Sequence, residues 1–232
     1  MNKKKVLSFS LYGENPIYTL GCIRNAELHK TYFNDWEMWV YYNDTVPIDI
    51  INKLSELNVK LINTNEDRQL INSMWRFLPI CDENVEYFIC RDCDSRISER
   101  DVVAVDEWIS SGKDFHILRE HPIGHGWPMN AGMWGGKGDS IKDFKNIMES
   151  YITSNYRPHD RSMDQYFLRD VVYNYAVRSV FVHDEYFNFE KCGVKIKRDR
   201  HLDDFAFIGE SVDEFDVPRG DQRTPIKERY GW

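Results

Sequence analysis

The sequence predicts an α/β domain whose mainly parallel central sheet carries helices on both faces. Three observations predict it. Between residues 5 and 90, short apolar runs alternate with helix-patterned stretches in the order β-α-β-α-β-α-β, and right-handed crossovers between parallel strands place helices on both sides of a sheet. A length of 232 residues is enough to bury one large core without disulfides. The aromatic and β-branched run Tyr87-Phe88-Ile89-Cys90 ends abruptly in Arg91-Asp92-Cys93-Asp94, as a buried strand does when its carboxyl end reaches solvent, and open α/β sheets bind ligands at that edge.

In chain order, Lys5 to Leu11 reads as the first strand, followed by a helix capped by Asn15, opened by Pro16 and running to about Phe33. Glu37 to Tyr42 is the second strand, a proline-started helix then runs through Leu57, and Val59 to Ile62 is the third strand. Glu66 to Pro79 has Leu70, Met74, Phe77 and Leu78 on roughly one helical face, and leads to the fourth strand at Tyr87 to Cys90. Ser98 to Asp101 opens a helix like a capping box, Gly112 closes it, and Phe115 to Leu118 is the fifth strand. Arg119 to Gly138 is too rich in glycine and proline for one regular element and reads as a ligand loop. Asp139 is expected to cap the next helix, another starts at Ser162 to Leu168, and Val177 to Val182 is a late strand. One domain is expected, with its core at about 4–210 and a tail at about 211–232 that wraps the surface or frays.

A net charge of −8 and a pI near 5.4 argue against a nucleic-acid surface. No apolar stretch approaches membrane-spanning length, and five cysteines, an odd number, point to a reducing, cytoplasmic setting. Cys90-x-x-Cys93 is half of a zinc or redox pattern whose second half is missing, and strand alternation turns the two thiols to opposite sides. The same stretch holds the only Asp-x-Asp in the chain. Asp92 and Asp94 offer hard oxygen ligands to Mg²⁺ or Mn²⁺, which in turn bind phosphate oxygens, so the pair points to a diphosphate site.

Four stretches, in this order, resemble nucleotide-sugar-dependent glycosyltransferases of the GT-A fold, a single domain with a Rossmann-like sheet. They are Ser8-Phe9-Ser10-Leu11-Tyr12; Trp75-Arg76-Phe77-Leu78-Pro79-Ile80 followed by the strand into Asp92 and Asp94; Asn130-Ala131-Gly132; and Asp164-Gln165. The resemblance implies a metal-dependent transferase moving a sugar from a nucleoside diphosphate sugar, of uridine or guanosine type, to a hydroxyl acceptor on a glycan, lipid or protein, as in polysaccharide biosynthesis. It implies donor contacts from Ser10, Leu11, Tyr12, Arg76, Arg91, Asp92, Asn130, Ala131 and Gly132, a metal on Asp92 and Asp94, and catalytic roles for Asp164 and Arg76. Where many relatives carry a metal-binding His-Phe-x-Gly, this chain has Ala206-Phe207-Ile208-Gly209, which leaves His183, His201 or water as the third ligand.

The plain alternatives are a core-covering Tyr12, a surface ion pair for Arg76 and an ordinary tight turn at Asn130 to Gly132. Trp127 and Trp134 are candidates for stacking on sugar or for the core. Asp164, at a helix start, is expected to have its charge stabilised and its pKa kept low by the N-terminal dipole, and so to orient substrate in a retaining reaction. A sugar nucleotidyltransferase would need a glycine-rich basic loop after the first strand, absent from Ser10-Leu11-Tyr12-Gly13. A non-catalytic glycan-binding module would give the acidic pair no reason to stand at a strand end.

Overall fold

The computed structural model describes residues 3–65, 70–157, 160–198 and 204–231. Its strands are β1 (Lys4–Leu11), β2 (Glu37–Tyr42), β3 (Lys60–Asn63), β4 (Val85–Cys90), β5 (Phe115–Arg119), β6 (Trp134–Lys137) and β7 (Val180–Asp184). They form one sheet in the order β3-β2-β1-β4-β6-β5-β7. Only β6 runs against its neighbours; β1 is parallel to β2 and β4, β2 to β3, and β5 to β7. The expected mainly parallel α/β sheet is borne out.

Period-two alternation sorts the strand residues onto two faces. Val6, Phe88, Cys90 and Trp134 pack on one face with Met74, Phe144 and Phe167, while Leu7, Phe9, Ile89 and Cys93 pack on the other with Cys22, Leu54 and Trp108. Cys90 and Cys93 thus lie in separate halves of the core, and all five thiols are free.

The local helix signals hold. Asn15 Oδ1 accepts from the Ile17 amide at 3.1 Å to start α1 (Pro16–Tyr32). Ser98 and Asp101 form a reciprocal capping box on α3 (Glu99–Ser111), and Gly112 ends it at φ 72°. Between them, α2 spans Ile48–Glu56.

Four expectations are corrected. Of the helix expected over 66–79, residues 66–69 lie outside the described ones, and the rest is a 3₁₀ stretch over Asn72–Cys81. Pro79 removes one donor there, and the Arg76 amide hydrogen-bonds to Ser10 Oγ of β1 at 2.9 Å instead. The Arg119 to Gly138 stretch contains β6, whose glycines serve close packing: a Cβ on Gly135 would lie 2.4 Å from the Phe88 carbonyl oxygen. Asp139 sits in a turn, and Asp143 is the cap of α4 (Phe144–Asn155). Val177 ends the helical run α5 (Met163–Phe167), π-helical Leu168–Val172 and α6 (Tyr173–Ala176), so the late strand starts at Val180. Of the two outcomes expected for the tail, its described part wraps the surface: α7 (Thr224–Tyr230) buries Ile226 completely against Phe205 and Phe207. Among the described residues no helix is long and apolar enough to cross a membrane.

Candidate active site

The carboxyl ends of β1 and β4 lie side by side, and the 3₁₀ stretch crosses them. Its Arg76 is buried between two acids: Nη1 donates to Asp92 Oδ1 at 2.5 Å and Nη2 to Asp164 Oδ2 at 3.1 Å. Three residues from three separate parts of the chain are joined by one planar guanidinium. Burial pulls the Arg76 pKa down, but Asp92 and Asp164 outweigh it and the net shift is upward.

Asp164 is also held by the Gln165 amide, which donates to its Oδ1 at 2.9 Å. Its pKa is raised, chiefly by burial, with Arg76 opposing. This corrects the expectation of a low value. The cost of withdrawing the carboxylate from water exceeds what Arg76 and the Gln165 amide return.

Gln165 ties in the loop before β6, its Oε1 accepting from the Ala131 amide at 3.2 Å. Gly132 follows, and an added Cβ there would sit 1.9 Å from Asp92 Oδ2. Only glycine lets that loop and Asp92 share the space. Asn130 is buried and turned into its own loop, with Nδ2 donating to the His125 and Trp127 carbonyls at 3.2 and 3.5 Å. Its donors brace the loop.

Asp92 and Asp94 leave β4 on neighbouring turns, with side chains 43% and 21% exposed. The tail closes over Asp94: Ser211 Oγ donates to Asp94 Oδ2 at 3.1 Å, the Val212 amide to its backbone carbonyl at 2.7 Å, and Arg219 Nη1 stands 3.7 Å away. Burial, and then the Asp92 charge, raise the Asp94 pKa. A divalent cation fits this donor set, because Mg²⁺ and Mn²⁺ take one or two protein carboxylates and fill the remaining positions with water and phosphate. Among the described residues no group of three or more His, Cys, Asp or Glu side chains could hold a metal.

His183 is corrected as third ligand. Its ring is buried with Nδ1 2.9 Å from His116 Nε2 and Nε2 2.9 Å from Glu107 Oε2, so both nitrogens are spent. His201 lies outside the described residues. Arg91 is corrected as a donor contact. It stands one strand position from Asp92, so it turns to the opposite face, where Nε donates to Asp101 Oδ1 at 2.8 Å and the side chain is only 2% exposed. Trp134 is wholly buried in the core between Phe77 and Phe88, so it offers no surface to a sugar. Trp127 is half-buried beside Tyr166.

At the end of β1, Ser10 and Leu11 are buried, whereas Tyr12 is 41% exposed and meets Trp75 edge to face at 6.2 Å. Beside Trp75 opens a polar cavity of about 340 Å³ lined by Asn43, Asp44, Thr64, Asn65 and Asn72. Two buried donors here, Trp75 Nε1 and Arg76 Nε, have no acceptor among the described residues. Unpaired buried donors are uncommon, and both nitrogens lie below the surface. Trp75, Ser211 and Arg219 escaped the sequence reading. Trp75 could have been found from its place directly before Arg76, whereas nothing local marks Ser211 or Arg219.

No protein-family model and no curated protein matches this sequence. Several solved structures are similar to it in part. A glycosyltransferase involved in glycosylation of the major capsid of PBCV-1 is 16% identical, with 78% of this chain covering 81% of that one at a TM-score of 0.43. Residues 1–349 of S. aureus TarS are 14% identical, and 77% of this chain covers 57% of that chain at 0.49. The 4-diphosphocytidyl-2C-methyl-D-erythritol synthase of Anaerococcus prevotii is 12% identical, with 84% covering 93% at 0.46. At these values they are likenesses of architecture, and they assign no residue and no reaction.

Proposed function

We propose that the protein transfers a sugar from a nucleoside diphosphate sugar to a hydroxyl acceptor, with the donor lying across the carboxyl ends of β1 and β4. The observation that carries this reading is the Arg76 guanidinium spanning Asp92 and Asp164 beside Asp94. Asp92 and Asp94 would hold Mg²⁺ or Mn²⁺, which neutralises the charge that builds on a departing diphosphate. Tyr12 forms the platform for the base, backed by the buried edge of Trp75, and the polar cavity beside them, with its carboxamides, suits a uracil or guanine edge and a ribose.

The chain's own residues divide the work. Arg76 has a fixed fork whose Nη1 and Nη2 keep Asp92 and Asp164 in place, so it sets where the donor's sugar and phosphate oxygens are met. Gly132 brings backbone to the donor sugar, with Ala131 fixed by Gln165. In the reaction the acceptor oxygen bonds to the anomeric carbon, the bond to diphosphate breaks, and the acceptor proton is released. One hydrogen bond on each oxygen of Asp164, from Arg76 and from the Gln165 amide, fixes the carboxylate's orientation, which suits an orienting role. Five free thiols suit a reducing compartment.

Calorimetry with UDP and GDP, in Mn²⁺ and in EDTA, tests the reading. Mn²⁺ is expected to tighten one of them on the native protein, and Asp94→Asn to remove that gain while leaving the melting temperature of the ligand-free protein nearly unchanged. Equal affinity in Mn²⁺ and EDTA sinks the proposal.

A further inference from the structure

A second cavity, of about 350 Å³, opens between the loop after β5 and the tail, walled by His121, His125, Phe207, Gly209, Asp221 and Gln222. Its size falls within the roughly 300–1,000 Å³ of small-molecule sites. The His121 and Phe207 rings lie 4.7 Å apart, and His125 stands 5.6 Å from Phe207, so three rings form one wall.

Hydrogen bonding defines what the wall offers. His125 Nδ1 accepts from the Glu120 amide at 3.0 Å, which places the ring proton on Nε2. His125 is buried, and its Nε2 has no partner among the described residues; it faces Gly209, which carries no side chain to cover it. His121 Nδ1 accepts from the Ile123 and Gly124 amides at 3.1 and 2.7 Å, so its Nε2–H donates to the Gln222 carbonyl. Burial draws the His121 pKa down and brings that of His125 to about 3, so both rings are neutral. The guanidinium of Arg223, next in sequence to Gln222, is taken by both oxygens of Glu210. With Asp221 on the rim and no unpaired cation in the wall, the chemistry disfavours a phosphate or carboxylate. It suits a neutral hydroxylated ring, which presents a C–H face to aromatic rings, an oxygen to an N–H donor and a hydroxyl to a carboxylate.

Hydrogen bonds link the walls of the cavity to the candidate active site. The Gln222 carboxamide grips Ser211, accepting from its amide at 3.2 Å and donating to its carbonyl at 2.7 Å, and Ser211 in turn caps Asp94. On the other side, the His125 carbonyl accepts from Asn130. From this geometry we infer that the cavity binds the sugar ring of the acceptor, stacked on Phe207 and His121 and held by His125 Nε2–H. The inference rests on the transferase reading for the word acceptor; binding of a neutral sugar here stands apart from it.

The test uses the full chain and two variants. His125→Asn keeps an oxygen able to accept from the Glu120 amide but loses the donor into the cavity, and Phe207→Leu removes the aromatic face. Saturation-transfer NMR with a panel of methyl hexosides reads binding directly. Kinetics with the nucleotide sugar that the protein turns over, and with p-nitrophenyl hexosides, read KM for acceptor and donor separately. The expected result is that at least one hexoside binds the native protein, that both variants lose about tenfold or more in its affinity, and that acceptor KM rises by a similar factor relative to donor KM. Equal hexoside binding in native protein and variants, or none by the native protein, overturns the inference. Hexoside binding that depends on His125 and Phe207 in a protein that neither hydrolyses nor transfers any nucleotide sugar keeps the cavity assignment and overturns the transferase reading.

Discussion

Gly132→Ala is the smallest change that separates the site from the fold. The new Cβ would lie 1.9 Å from Asp92 Oδ2 and 2.6 Å from its Cγ, but 3.3 Å from the Asp92 amide nitrogen. The backbone can absorb the last of these; the carboxylate has to rotate away. Rotation breaks the 2.5 Å bond from Arg76 Nη1, while the bond from Nη2 to Asp164 remains. Overpacking by one methyl costs about 1–3 kcal/mol of stability, so the variant folds. A lost hydrogen bond between charged groups is worth about 1.5–3 kcal/mol, and at about 1.4 kcal/mol per decade the affinity for nucleoside diphosphate in Mn²⁺ falls roughly 10- to 100-fold. Urea unfolding and calorimetry on the same preparation measure the two effects. Native-like nucleotide affinity in Gly132→Ala would refute the claim that the loop before β6 sets the position of Asp92.

Three further outcomes are expected. Tyr12→Ala should weaken nucleotide binding by about 1–3 kcal/mol if the ring is the platform for the base, and an unchanged dissociation constant returns Tyr12 to covering Trp75. Asp164→Asn should lower turnover by at least about tenfold through mispositioning, with donor binding retained. In the folded protein Asp164 keeps its proton to a higher pH than its ordinary 3.8, so its contribution to stability is fully present below 3.8 and is lost as pH rises through the folded value. The acid limb of kcat should therefore lie above that of an ordinary aspartate and change in Asp164→Asn, with Asp94, whose pKa is also raised, supplying what remains. An inverted product, seen by NMR, with near-complete loss of turnover would make Asp164 the base.

What could be read in the sequence follows the range of the forces involved. Asn15-Pro16, Ser98 with Asp101, and Gly112 act within one turn of a helix, and each was legible. Asp92 and Asp94 were legible because a strand end is a local event with a known consequence. Strand β6 was hidden, since Trp134-Gly135-Gly136-Lys137 is glycine-rich for the sake of a neighbour, Phe88, that lies far away in sequence. Arg76 and Arg91 are chemically identical, and only the register of β4 and the position of α3 send one to the acids of the site and the other to Asp101. The pKa of Asp164 depends on burial, which no helix-start pattern reports.

The bond between Ser211 and Asp94 joins positions 117 residues apart, and this gives the site a history during synthesis. At roughly 5–20 residues per second, the ribosome needs on the order of ten seconds to go from the acidic pair to the segment that covers it. By then β1, β2, β3 and β4 are all available to pair, and Gly132 and Asp164 have been made as well. The nascent chain therefore holds its acidic edge open to the surrounding solution for seconds before the last part of the polypeptide arrives to close one side of it.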